Sequence, residues 1–152
     1  MANALTHIVP LKEGANLRQL QAVVDGNQQA IDDALKEIGT VHDFRFVFFD
    51  ASQPNLQPTS TSTGPYALGV ITTYDGSFDS YIQDFTRFLA PVFDALLPAT
   101  VDGAALVPVK DHVQELTEWI RKNDAAQNPP NDQFTLYTAY PFTVQQILAG
   151  MG

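Results

Sequence analysis

The sequence has no cysteine. That excludes disulfides, thiolate metal sites and cysteine nucleophiles together. Bases are scarce as well: 8 Lys and Arg stand against 17 Asp and Glu, for a formal net charge of −9. Phosphate backbones and anionic lipid surfaces are recognised by clustered Lys and Arg. The one adjacent basic pair is Arg121-Lys122, so neither nucleic acid nor a membrane is an expected partner. No run approaches the roughly 20 apolar residues of a membrane span. The N-terminal MANALTHIVPLK lacks the basic start and apolar stretch of a signal peptide, and a cytoplasmic protein is the expectation. The three histidines show no ligand spacing, so no metal is expected. A Gly-x-Ser-x-Gly elbow is missing, and DGNQQ and VDGAAL lack the pattern and the lysine of a phosphate loop.

What the chain does have is a core. Its 152 residues are 45% hydrophobic and 11% aromatic, the composition of a folded domain, and residues 1–152 read as one unit. Leu5–Leu11 is β-rich and forms a first strand. GANLRQLQAVVDGNQQAIDDALKEIG carries Leu17, Leu20, Val24, Ile31, Leu35 and Ile38 at helical spacing. Asn16 suits its N-cap and Gly39 its stop, while Gly26-Asn27 weakens the middle enough to divide it in two.

VHDFRFVFFD follows as a second strand, with His42, Phe44, Phe46 and Phe48 on one face and Asp43, Arg45, Val47 and Phe49 on the other. The Pro-, Ser- and Thr-rich ASQPNLQPTSTSTGP is a long loop, either a surface excursion or a lid. YALGVITTYDG is a third strand. SFDSYIQDFTRFLAPVFDALL is a helix capped by Ser77, which Pro91 is expected to kink or break. PATVDGAALVP is a loop, and KDHVQELTEWIRKND a further helix, with Asp111 as cap, Gln114 completing a capping-box-like pair, and Val113, Leu116 and Ile120 inward. Pro129-Pro130 closes that segment; QFTLYTAYPF is a fourth strand and TVQQILAGMG a short helical tail.

The order βαββααβ splits into two βαβ units. It predicts an α+β, ferredoxin-like antiparallel sheet with helices on one face. The other face of such a sheet must be buried if it is apolar, and a second copy of the chain is the symmetric solution.

THIVPLKEG, followed by a helix, resembles the opening strand of the dimeric α/β barrel superfamily, in particular its stress-responsive A/B barrel and polyketide cyclase-like members. YALGVITTYDGSFDSYIQDF is similar to that superfamily's third strand and second helix. The resemblance implies a homodimer whose paired sheets form a barrel, each half enclosing a cleft between sheet and helices. It also implies that His7 stands where cyclase-like members place a working histidine. The partner His-Pro of those enzymes is replaced here by RFLAPVFD, which has no histidine. Other members bind haem, the one cofactor the resemblance makes worth testing; His112, with Asp111 and Glu115, and the turn at Asp75-Gly76 are the residues to compare with their axial and distal groups.

The residues themselves offer several candidates. His7 is either a structural imidazole hydrogen-bonded to a carbonyl or carboxylate, or a group that transfers protons or holds a ligand. Arg45, set among phenylalanines, needs a carboxylate, with Asp43 and Asp75 as candidates; a small carboxylate ligand could use the same fork. His42 reads as a core-edge residue, and Trp119 as a core cap or partner contact. Tyr66, Tyr74, Tyr81, Tyr137 and Tyr140 could line an aromatic-ligand cleft or rim a core. His7, Arg45 and Tyr74 are thus the candidate catalytic residues, and His42, Asp75, Tyr137 and Tyr140 the candidate ligand-binding ones. Three functions are open: a small-molecule-binding protein or cofactor-independent enzyme with a closed pocket of roughly a few hundred Å3; a structural or stress-response homodimer whose cleft is filled; and a haem-binding or peroxidase-like protein.

Overall fold

Asn16 begins the helical layer as its sequence position predicts, its side chain accepting from the Gln19 amide at 3.2 Å. A computed structural model describes residues 2–126 and 141–151 of the chain. Their elements are β1 (Ala2–Pro10), α1 (Leu17–Gly26), α2 (Gln28–Ile38), β2 (Val41–Asp50), β3 (Tyr66–Asp75), α3 (Phe78–Leu96), α4 (Val113–Lys122) and α5 (Val144–Gly150). The long first helix is divided at Asn27, whose side-chain amide donates back to the Val23 carbonyl at 2.7 Å. Gly39 ends α2 at φ 66°, a left-handed conformation that costs glycine little.

The described strands form an antiparallel sheet of order β1-β3-β2. Both outer strands run antiparallel to β3, so β1 and β2 run the same way and α1 and α2 carry the crossover between them. Leu5, His7 and Val9 of β1, Leu68, Val70, Thr72 and Tyr74 of β3, and the half-buried Phe44, Phe46 and Phe48 of β2 share the inner face. They join Leu20, Ile31, Ile82, Phe85, Leu89, Leu116 and Ile120 of the helices in one core. Each large apolar side chain buried there contributes about 2 kcal/mol. The result is an α+β architecture.

The opposite face is different. Register places Ile8 beside Gly69 and Gly69 beside Val47, with Ile71 and Phe49 in adjacent rows. Ile8 is 39% exposed. A Cβ on Gly69 would lie 2.9 Å from the Phe49 ring, so Phe49 crosses the central strand where only a glycine leaves room.

Two expectations about helix ends and breaks are corrected. Pro91 does not break α3, which runs unbroken from Phe78 to Leu96. Proline lacks its amide, but Pro91 is on the exposed side of the helix, where water can satisfy the freed carbonyl, and buried Leu89, Val92 and Leu96 hold the flanking turns. Asp111 is not the cap of α4. It ends a 3-10 turn, Val109–Asp111, and His112 takes the cap position without a side-chain hydrogen bond, so the capping-box-like pair with Gln114 is not made. The 97–111 stretch, read as a loop, contains three short 3-10 turns.

The tail helix does form, with a full capping box between Thr143 and Gln146. The expected fourth strand, and with it Tyr137 and Tyr140, lies outside the described residues. On the side of β1 away from β3, Asp124 accepts from the Thr6 amide and from its own neighbour Ala126, each at 2.9 Å, and the Ala125 amide donates to Thr6 at 2.8 Å. Among the described residues no helix is long and apolar enough to cross a membrane.

Candidate functional site

The inward alternation of β1 places His7 between the sheet and α4, 4% exposed. Leu116 and Ile120 of α4 and Ile82, Phe85 and Thr86 of α3 close over it, with Leu5, Val70, Tyr81 and Phe93 completing the wall of a cavity of about 30 Å3. Among the described residues, neither ring nitrogen of His7 has a hydrogen-bond partner. The Ile120 main chain acts on the ring, but stops short of hydrogen-bond geometry. Burial in this apolar setting lowers the His7 pKa to about 4, with Ile120 opposing the shift. The imidazole is therefore neutral at ordinary pH. The ring is a buried core group whose nearest main-chain partner is Ile120; a buried polar group short of hydrogen-bond geometry costs about 1–3 kcal/mol.

Trp119 packs on this ring, with centroids 4.6 Å apart and planes at 64°. Of the two roles its sequence position left open, core cap and partner contact, it takes up the first, packed against the core. The available signal was its spacing, three residues after Leu116 and next to Ile120, which borders the apolar stripe.

The other candidates do not converge on His7. Tyr74 is 2% exposed, stacks on Tyr81 at 4.1 Å between centroids and is pushed up to about 12 by burial first and the Asp124 charge second. Tyr81 does face the cavity. Its hydroxyl donates to Thr72 Oγ1 at 3.1 Å, and Thr72 donates to the Asp43 carbonyl at 2.7 Å; burial drives its pKa upward as well.

Arg45 is exposed on the other side of the sheet from His7, and among the described residues no carboxylate lies within 4.0 Å of it. The expected ion pair with Asp43 or Asp75 is not formed, because an outward guanidinium is solvated and needs no partner. It borders an open groove of about 230 Å3 between α1, α2 and β2, together with Gln21, Asp25 and Phe44.

Asp75 is engaged elsewhere. A bulge between Val41 and Asp43 interrupts the alternation of β2, and His42, instead of continuing the phenylalanine row, meets Asp75 with Nε2 to Oδ1 at 3.0 Å. The second oxygen of Asp75 accepts from the Val144 amide at 2.7 Å, and Gln145 donates to the Gly39 carbonyl at 2.8 Å. These bonds fasten α5 beside the end of the sheet, over an open groove of about 490 Å3 that includes Leu35, Lys36, Val41, His42, Val144 and Leu148.

Haem ligation does not fit His112. Its side chain is 36% exposed at the start of α4, with Nδ1 3.9 Å from a Glu115 that is itself 62% exposed, whereas an axial histidine is buried and oriented by its second nitrogen. Gly76, at φ 89°, serves the turn from β3 into α3. Among the described residues no group of three His, Asp or Glu is placed to hold a metal ion.

Asp50 is covered by its own loop. Ser52 donates to its Oδ1 from both amide and hydroxyl, at 2.9 and 2.7 Å. The Ser52 hydroxyl first, then Ser62, holds its carboxyl below the usual range. The loop is thus pinned at its first residues by this carboxylate. No family model, no curated protein and no solved structure matches the chain.

Proposed function

We propose that the chain is a ferredoxin-like subunit of a homodimer and that each subunit binds a small molecule, without a cofactor, in the cavity beside His7. The observation that carries the reading is the His7 ring: 4% exposed, without a hydrogen bond among the described residues, and lining an apolar cavity. Ligand sites are mostly apolar with a few polar groups in their walls, and this wall includes His7, Tyr81 and Thr86. Binding is favoured over catalysis because Arg45 and Tyr74 stand apart from His7, and the Tyr81 hydroxyl already donates to Thr72. Strand order β1-β3-β2 is the arrangement that a ferredoxin-like βαββααβ chain gives its first three strands. The Ile8, Val47, Phe49 and Ile71 face supports a second copy as its cover.

The test is a fragment screen by ligand-observed NMR on the wild-type chain and on His7→Leu. Fragments that bind the former and lose their signal with the latter are expected. An identical set of hits for both proteins sinks the reading. One observation favours a structural homodimer instead: the cavity, at about 30 Å3, is far below the few hundred Å3 of a drug-sized site. That alternative predicts that no fragment depends on His7, while light scattering still gives twice the chain mass.

A further inference from the structure

A bond just past the end of β2 fixes which way its main chain points. The Ala51 amide donates to the Pro65 carbonyl at 2.9 Å, in the register that sets Arg45 beside Ile71, Val47 beside Gly69 and Phe49 beside Ala67. Odd-numbered residues of β2 after the bulge therefore bond to β3, and the N–H and C=O groups of Phe44, Phe46 and Phe48 point the other way. The Asp50 amide, next in that series, donates to the Leu56 carbonyl at 2.9 Å, so the loop closes the edge only from Asp50 onward. Among the described residues β2 pairs with β3 alone, and no main-chain partner meets the three phenylalanines from outside. Their half-buried rings border the open groove of about 230 Å3 between β2 and the helices α1 and α2. Such an edge is a template for another strand.

We infer that β2 pairs antiparallel with β2 of a second copy, about a twofold axis through Phe44. In that register Phe44 exchanges both main-chain hydrogen bonds with the partner's Phe44. The exposed Asp43 lies opposite the partner's Arg45, and the exposed Arg45 opposite the partner's Asp43, in non-hydrogen-bonded pairs where facing side chains come closest. Charges on an edge ordinarily keep copies apart; an acid and a base two residues apart do the reverse. An axis through Arg45 would oppose two guanidinium groups, and one through Phe46 would set Arg45 against the partner's Val47 and Asp43 against the partner's Phe49. Asp43-Phe44-Arg45 thus chooses both occupant and register. Another protein would have to supply an acid, an apolar residue and a base in that order, and every copy of this chain does. The contact is separate from the Ile8, Val47, Phe49 and Ile71 face: a copy there covers side chains, a copy at the edge completes hydrogen bonds, and the two combine on perpendicular twofold axes. It does not depend on the cavity beside His7.

The experiment measures amide hydrogen exchange on the full 15N-labelled chain at NMR concentration, in the wild type, Asp43→Arg, Arg45→Asp and an equimolar mixture of the two variants. Val47 and Phe49, bonded to β3, report that the strand is intact and are expected to be protected in every sample. The Phe44 amide is expected to exchange at least tenfold more slowly in the wild type than in either variant, where like charges oppose each other across the axis. In the mixture, where each variant meets opposite charges on the other, slow exchange returns. Phe44 exchanging as fast in the wild type as in the variants overturns edge pairing and leaves the homodimer and the cavity readings standing. Slow exchange at Phe44 in all four samples overturns the self-complementary register.

Discussion

Trp119 covers His7 edge to ring, 4.6 Å between centroids. It is the only tryptophan of the chain, and the contact joins α4 to the inner face of β1. This relationship keeps water from one side of an imidazole that has no hydrogen-bond partner among the described residues, and it makes the protonation of His7 a matter of stability.

The sign follows from where the proton binds. Burial lowers the His7 pKa to about 4 in the folded chain, from an ordinary value of about 6.5. Between these two pH values the unfolded chain holds the extra proton and the native one does not. The stability associated with neutral His7 is complete above pH 6.5 and is lost as pH falls to about 4, a decline of about 3 kcal/mol. Urea midpoints measured from pH 8 to pH 4 should show this slope in the wild type and lack it in His7→Phe. Equal slopes in the two proteins would refute burial as the cause.

The Tyr81 hydroxyl chain gives a second expectation. Tyr81→Phe removes one buried bond to Thr72 and should cost about 1 kcal/mol. Thr72→Val removes the acceptor of Tyr81 and the donor to the Asp43 carbonyl together, so it should cost about 2 kcal/mol or more. Chemical denaturation of both variants and of their combination checks this. Strict additivity in the double variant would show that the two groups do not act as a chain.

How much of this was legible beforehand depends on the kind of signal. Period decided the elements: the stripe from Leu17 to Ile38, its division at Asn27 and the alternation of β1 and of β2 after Asp43 all follow from local spacing, and the structure repeats them. Pairings were harder. A carboxylate was expected beside Arg45 because its chain neighbours are phenylalanines, yet it lies exposed on the face opposite Phe44, Phe46 and Phe48, where water solvates it. Asp75 was available to Arg45 on paper, but the bulge at Val41/Asp43, which no residue pattern announces, brings His42 to it instead. His7 and Trp119 are 112 positions apart, and only the packing of α4 on the sheet brings them together. The Asp111 cap failed for a related reason: a 3-10 turn ahead of α4 uses the residue before it can cap.

Asp75 also governs the C-terminal helix. With both carboxylate oxygens engaged, one by His42 and one by the Val144 amide, Asp75→Ala should free the start of α5, which buries none of its own residues. Hydrogen exchange of Val144–Gly150 is expected to accelerate at least tenfold, with β3 and α3 unchanged, since short helices without buried contacts open locally. Uniform acceleration across the sheet would mean that Asp75 supports the whole fold rather than the tail.

The crossing of Phe49 over Gly69 has a consequence for shape. A central strand normally raises a row of side chains along the middle of a sheet, and a surface laid on it has to mesh with that ridge. Here the middle row is emptied at Gly69 and filled from the side by an aromatic ring lying across it. At that point the relief of the face is low, between Ile8 on one side and Val47 on the other. A surface laid there would find little to mesh with at Gly69 and would take its bearings from exposed side chains of the same face such as Asp43 and Arg45.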